Sequence, residues 1–267
     1  MPLHIIVCVK QVLDPETPAS ALRIDPQLRR MVAPANVPPV VNGFDENAVE
    51  AALRIKDARP GDVKITVLSC GKSFAMEVIK KPLSMGCDEL VLLQDNAFDN
   101  LDAFATAHVL AAAIKKLGAF DIVLCGRQAS DWDQAQVPQG LAQLLGLPGV
   151  TIAKKVEVTD KKVRVERVVP GGREVVEASL PALITVTNEL GQPRYPNLRG
   201  IMAATRKQPV VWKAGDLGLD PALLQPAVEL QELFIPVQEK NVEIIEGEDD
   251  ADKGRKLALK LREAKLI

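Results

Sequence analysis

Short runs of aliphatic residues alternate, over the first 150 positions, with longer stretches of helical period. The runs are IIVCV (5–9), KITVLSC (64–70), ELVLLQ (89–94) and DIVLCG (121–126). Between them lie ENAVEAALRIKDA (46–58), SFAMEVIKKPLSMG (73–86), DAFATAHVLAAAIKKLG (102–118) and, after the last run, QVPQGLAQLLG (136–146). Apolar runs that do not alternate with polar residues belong to strands buried on both faces. Helical crossovers between such strands predict a parallel sheet with helices on both sides, a Rossmann-like α/β sandwich. Pro82 removes a backbone donor inside the second helical stretch, which should kink or split near Lys81.

After Val150 the pattern changes. KVEVTDKKVRVERV (155–168) alternates apolar and polar residues around a polar turn at 159–162, the mark of a half-exposed antiparallel hairpin. A second turn follows at Pro170, Gly171 and Gly172, and then EVVEAS and LPALITVT supply one exposed and one buried strand that would complete the sheet near residue 190. Residues 1–190 are therefore expected to form one α/β domain with a hairpin extension. From Asn188 the chain is rich in Pro, Gly and basic residues and poor in periodicity, as in an ordered loop or extended arm. Beyond Leu219 the composition no longer resembles a core. The last segment, EGEDDADKGRKLALKLREAKLI, places Leu257 and Leu261 one turn apart with acids leading and bases trailing, as a dipole-compatible helix would.

Composition narrows the function classes. The 267 residues are 47% hydrophobic and 25% charged, enough for a sizeable core, and a net charge of −2 supplies no field for a phosphate backbone. Nucleic acid is not an expected partner. Aromatic residues make up only 3% of the chain, which disfavours base-stacking platforms. No stretch approaches transmembrane length, and the apolar run in MPLHIIVCVKQ is too short for a secretory leader, so neither membrane insertion nor export is expected. Cys8, Cys70, Cys87 and Cys125 lie far apart without a C-x-x-C pair; no metal site is expected, and a reducing cytoplasm suits them.

In an open parallel sheet, ligands bind beyond the carboxyl ends of the strands, where helix amino termini turn free amides outward. Those ends are Cys8-Val9-Lys10, Ser69-Cys70-Gly71 and Cys125-Gly126-Arg127-Gln128, small or polar residues that leave room beside backbone amides. The loop GRQASDWDQAQVPQG adds Arg127, Gln128, Asp131, Asp133, Gln134 and Gln136 just before an apolar helix. It reads either as a ligand site or as a helix cap with solvated polar residues. The G-x-G-x-x-G and G-x-x-x-x-G-K-[ST] phosphate cradles are absent, as are G-x-S-x-G and H-E-x-x-H. His4 and His108 stand near no cysteine or carboxylate cluster, and the cysteines, set in apolar runs, behave as small hydrophobes. No catalytic set emerges: such a chain is a binder or carrier whose chemistry belongs to a cofactor.

Several motifs resemble the beta subunit of electron transfer flavoproteins over nearly the whole chain. They are VCVKQVLD (7–14), PPVVNGFDENAVEAALRIKD (38–57), ITVLSCG (65–71), GRQASDWDQAQV (126–137) and, most specific, the run from Val165 to Ala204. The resemblance implies a heterodimer whose alpha subunit carries most of an FAD, while this chain shelters the flavin end and binds a nucleotide of its own. That nucleotide would lie among Cys8, Asn42, Cys70, Gly126, Arg127, Gln128, Asp131, Trp132, Gln134, Ala135, Gln136 and Val137. Ala135 and Val137 replace the hydroxyl and amide side chains of AMP-binding relatives, and the A-Q-V run matches relatives that bind a second FAD and bifurcate electrons. Trp132 and Pro138, however, stand where those relatives have glycine. The resemblance thus implies either AMP or a second FAD.

Residues 191–214 resemble the family's recognition loop, in which Leu198 would anchor the carrier on an acyl-CoA dehydrogenase, with Met202 close by. Arg194 and Tyr195 would lie nearer the shared flavin and the alpha subunit, and residues 215–267 would form an arm wrapping that subunit. Electrons would pass from the dehydrogenase to a quinone oxidoreductase or another acceptor. The rival reading is an adenine-nucleotide-binding regulatory module without a redox role.

Overall fold

The aliphatic runs become strands in the order expected of them. A computed structural model describes residues 2–159, 161–236 and 242–267. Residue 160, in the expected hairpin turn, and residues 237–241 of the expected arm lie outside these. The chain divides into two units, Met1–Gln231 and Glu232–Ile267.

The first unit begins with β1 (Leu3–Cys8), β2 (Gln11–Val12), β3 (Arg23–Asp25), β4 (Arg30–Val32), β5 (Val40–Val41) and α1 (Gly43–Ala58). Then come β6 (Val63–Gly71), α2 (Met76–Ile79), α3 (Lys81–Met85), β7 (Glu89–Gln94), α4 (Ala103–Leu117), β8 (Ile122–Gly126) and α5 (Val137–Leu145). β9 (Gly149–Val158), β10 (Lys162–Val169), β11 (Gly172–Ser179), β12 (Ala182–Val186), α6 (Leu198–Arg206) and β13 (Val210–Trp212) complete it. Nine strands form one sheet in the order β11-β10-β9-β12-β8-β1-β6-β7-β13. All pairings from β9 to β13 are parallel, and β9-β10-β11 form the antiparallel extension. β9 serves both ladders because it is broken by a bulge: Ile152 has φ 60°, and its N–H donates to Thr185 Oγ1 at 2.9 Å.

The period-two alternation of strand side chains separates two cores. Ile5, Val7, Ile65, Val67, Ile122 and Leu124 face α1 and α3, whereas Ile6, Leu68, Val91, Val123 and Leu183 face α4 and α5. Full burial of each such side chain stabilises by about 1.5–3 kcal/mol, which is why the central strands read as unbroken apolar runs. The second helical stretch is split as Pro82 requires: α2 stops at Ile79 and α3 starts at Lys81 with the proline in its first turn.

The sheet does not end near residue 190. β13 pairs with β7 through Val210–Val91, Val211–Leu92 and Trp212–Leu93, so the edge strand comes from the region read as loop. Three exposed or half-exposed residues cannot announce a strand by periodicity. The leucines beyond residue 215 also have partners in their own unit: Leu217, Leu219 and Leu224 pack against the α4–α5 core, and Asp102 Oδ2 accepts from the N–H groups of Ala227 and Val228. The β3–β4 hairpin and the short β2–β5 pair were likewise not read from sequence, being too short to show a period.

In the second unit, α7 (Asp250–Glu263) has Asp249 as its N-cap, accepting from the N–H of Asp252 at 2.7 Å. Lys260 pairs with Glu243. Leu257 and Leu259 are both exposed. Among the described residues, no helix is long and apolar enough to cross a membrane.

Candidate functional site

The carboxyl ends of β8, β1 and β6 lie side by side, with Cys125 beside Cys8 in the parallel register. Cys8, Cys70 and Cys125 all turn to the α4–α5 side of the sheet. Burial pushes the Cys70 thiol up to about 12, and hydrogen bonding with Cys8 together with burial raises Cys125 well above the ordinary thiol range. Cys70 and Cys125 are therefore protonated at neutral pH and serve as small apolar linings rather than nucleophiles.

On the opposite side, the start of α1 is drawn against the same strand ends. The β2–β5 pairing leads the chain from Lys10 to Asn42, whose N–H donates to Lys10 O at 2.9 Å. Asn42 then spans to the β8–α5 loop, its Nδ2 donating to Gln128 O at 2.8 Å and its Oδ1 accepting from Ser130 N at 3.2 Å. Three residues on, the buried Asp45 accepts from the N–H of Gly126 at 3.0 Å and of Lys10 at 2.8 Å. One carboxylate thus ties together β1, β8 and α1. Burial drives its pKa up to about 7, against the two amide donors that favour the anion. Gly126 is required here because a Cβ would lie 2.4 Å from Asp45 Oδ1 and 2.7 Å from the carbonyl carbon of Phe44.

The loop from Arg127 to Gln136 is internally braced. The Arg127 guanidinium lies over the Phe44 ring at 5.0 Å, and its Nε donates to Gln128 Oε1 at 3.1 Å. Gln128 Nε2 reaches Asp133 at 2.6 Å, and Asp131 is paired with Lys10 Nζ at 2.6 Å. Asp133 and Ala135 have φ of 50° and 53°, left-handed conformations that cost about 1–2 kcal/mol each outside glycine. Trp132, Gln134 and Gln136 are exposed, while Val137 opens α5 and packs against the core below. Among the described residues, Ser69 Oγ near the end of β6 and Ser130 Oγ in this loop are buried and find no partner. An orphaned hydroxyl costs about 1–3 kcal/mol, so a ligand's polar atoms would be welcome at both. Hydroxyls, amides, a guanidinium and apolar thiols together suit an adenine nucleotide, whose base is apolar on its faces and polar on its edges.

All twelve residues expected at the site therefore border one end of the sheet. Asp45, Phe44 and Ser130 were missed, and Lys10 was read only as the last residue of a strand end. Asp45 occupies the first turn of α1, where an acid reads as an ordinary complement to the helix dipole; only the strand ends brought against it give it a second role.

The second candidate surface is partly helical rather than a loop. Residues 192–197 are irregular, but Leu198 begins α6, whose N-cap Asn197 accepts from Gly200 N at 2.8 Å. Tyr195, Leu198 and Met202 are 90%, 73% and 53% exposed, and Ile201 beside them is 46% exposed. The i, i+3, i+4 spacing of Leu198, Ile201 and Met202 turns them to one side. α6 sits directly on α3: a Cβ at Gly200 would fall 2.2 Å from Ser84 O. Arg194 turns inward, its guanidinium bonding to Glu50 and Asp57 of its own chain.

The family model described as the electron transfer flavoprotein domain matches residues 31–217. The chain is 40% identical to the caffeyl-CoA reductase-Etf complex subunit CarD of Acetobacterium woodii, over 99% of this chain and 100% of the relative. It is 41% identical to the electron transfer flavoprotein subunit beta of Megasphaera elsdenii, over 93% of each chain. It is 36% identical to the protein FixA of Azorhizobium caulinodans, over 82% of this chain and 78% of the relative.

Proposed function

The chain belongs to the electron transfer flavoprotein family as a beta-type subunit, and from that membership we propose that it is half of a heterodimeric electron carrier with no enzymatic activity of its own. The observation that carries this reading is the match to a beta subunit over 93% of both chains. The alpha-type subunit supplies most of an FAD, which when bound supplies the one- and two-electron chemistry. This chain covers the flavin end and holds an adenine nucleotide, AMP or a second FAD, at the carboxyl ends of β1, β6 and β8. Gln134, Gln136, Ser130 and Arg127 would bond its polar groups, and Cys8, Cys70 and Val137 would border its base. Of the arm read at 215–267, the part from 232 on, where Phe234, Val242, Ile244, Leu266 and Ile267 are exposed, would cover the alpha-type subunit.

Donor docking falls to Leu198, Ile201 and Met202, with Tyr195 at the edge of that face nearer the alpha-type subunit, and the donor is an acyl-CoA dehydrogenase. A quinone oxidoreductase or a comparable acceptor takes the electrons. Coexpression with the alpha-type chain, followed by denaturation and a count of FAD and AMP per heterodimer, tests the reading. One FAD with one AMP identifies a simple carrier, and two FAD without AMP identify a bifurcating one. Failure to recover either a partner or a nucleotide overturns the assignment. Leu198→Ala is expected to weaken docking by about 1–3 kcal/mol, read as a raised apparent KM of the carrier for the reduced dehydrogenase with flavin content unchanged.

A further inference from the structure

The polar residues along α1 fasten a different segment from the one its amino terminus serves. Asn47, Glu50, Arg54 and Asp57 follow one another at intervals of three or four and so share a helix face. Every one of them bonds to the stretch from Leu190 to Arg194. Asn47 Nδ2 donates to Gly191 O and Arg54 Nη1 to Leu190 O, both at 2.9 Å. Glu50 receives the Arg194 guanidinium in a fork, from Nε at 2.8 Å and Nη2 at 3.2 Å, and also accepts the Arg194 backbone N–H at 3.1 Å. Asp57 takes a further bond from Nη2 at 2.7 Å.

The Glu50 side chain is only 6% exposed, and Arg54 Nε bonds its other flank at 2.9 Å. Burial alone would raise the Glu50 carboxyl; the bonds from Arg194 and Arg54 outweigh it and hold the group below its usual range. A buried ion pair is a poor source of net stability, because desolvation offsets most of the attraction, but it fixes geometry with little tolerance. The next residue, Tyr195, is the first member of the exposed apolar face. On the far side of that face, Gly200 lies on Ser84, and Lys207 Nζ donates to the carbonyls of Cys87 and Asp88 at 3.1 and 2.7 Å. The apolar face is thus suspended between two polar fastenings.

We propose that Arg194, seated in a fork on the buried Glu50 carboxylate, is a positioning residue that sets the place and angle of the Tyr195–Met202 face for the docking partner. The proposal rests on the docking role assigned above to that face. Arginine is specific to this task, since its planar fork meets both carboxylate oxygens while lysine offers a single point charge.

The test uses the purified heterodimer carrying Arg194→Gln, Arg194→Lys or Leu198→Ala, with an acyl-CoA dehydrogenase reduced by butyryl-CoA as the probe. Amide hydrogen exchange of residues 195–203 and the apparent KM and kcat of electron transfer are read together. Arg194→Gln should raise KM about tenfold or more with kcat near that of the parent, as expected of a misplaced contact surface. It should also speed exchange in 195–203 while leaving β6 and β8 protected and FAD content unchanged. Arg194→Lys should restore part of the charge but little of the KM. If Leu198→Ala raises KM while both Arg194 variants match the parent, Arg194 does not position the face. A loss of FAD or of protection throughout the sheet in both Arg194 variants would make the pair a folding element and would equally overturn the proposal. If Leu198→Ala has no effect on KM, the docking role fails, and the exchange in 195–203 alone decides whether Arg194 sets that segment.

Discussion

Gly126→Ala is expected to lower the stability of the chain by about 2–5 kcal/mol, the sum of an overpacked contact and a lost buried hydrogen bond. The added methyl would lie 2.4 Å from Asp45 Oδ1, 2.7 Å from Phe44 C and 2.8 Å from Asp45 N. Two of these atoms are backbone in the first turn of α1, so no rotamer change relieves the clash. α1 must withdraw from β8, which breaks the bond between Gly126 N–H and Asp45 and separates Asn42 from the loop it braces. Thermal unfolding should fall by about 5–15 °C. Gly172→Ala at the β10–β11 turn, where a Cβ meets nothing within 4 Å, is the matched control and should change stability by no more than about 0.5 kcal/mol. Equal unfolding midpoints for the two variants would refute the close approach of α1 to β8.

A second large effect concerns pH. Burial raises the Asp45 carboxyl from 3.8 to about 7, so between those values the folded chain keeps a proton that the unfolded chain has released. Stability contributed by that proton is full below about pH 4 and falls as pH rises through 7, beyond which the difference is constant. A shift of this size corresponds to about 4 kcal/mol at most. The groups facing the carboxyl are the N–H donors of Lys10 and Gly126, the Asn42 side chain and the Lys10 ammonium, with the Cys125 thiol on the other side of the sheet. Asp45→Asn loses one acceptor and should be less stable than the parent in acid, with the gap closing as pH rises from about 4 to about 7 and constant beyond. Urea unfolding of both chains across that range measures the gap; parallel curves would mean that Asp45 remains ionised throughout. Glu50, held low by its arginines, has the opposite sign and loses its contribution only when pH falls through the depressed carboxylate range.

The central strands were legible because double-sided burial leaves a contiguous apolar signature, and the helices because each carries a face. Pro82 announced the break between α2 and α3 for a covalent reason that tertiary context cannot override. By contrast, β13 is a strand only because β7 presents an open edge to it, and Leu198 is helical because Asn197 caps a segment that lies on α3. Neither cause is local. The strand-end residues of the candidate site were named by asking where a parallel sheet binds ligands, which is a rule of topology. Asp45 and Glu50 escaped that rule, since a buried carboxylate on an amphipathic helix looks like any solvated acid until its partners, distant in sequence, are brought to it.

Helix α1 also sets limits on how the chain can change length. Its amino-terminal turn is held by Asn42 and Asp45, and its later turns by Asn47, Glu50, Arg54 and Asp57, each to a different stretch of chain. Inserting one residue between Asp45 and Asn47 would rotate everything after it by about 100° and advance it by about 1.5 Å, so one set of bonds could be kept only by forfeiting the other. Length variation should instead collect where nothing is in phase with anything else, at the β3–β4 turn and the β10–β11 turn, and a library of single-residue insertions across residues 20–175 would come back empty along the helix and populated at those two bends.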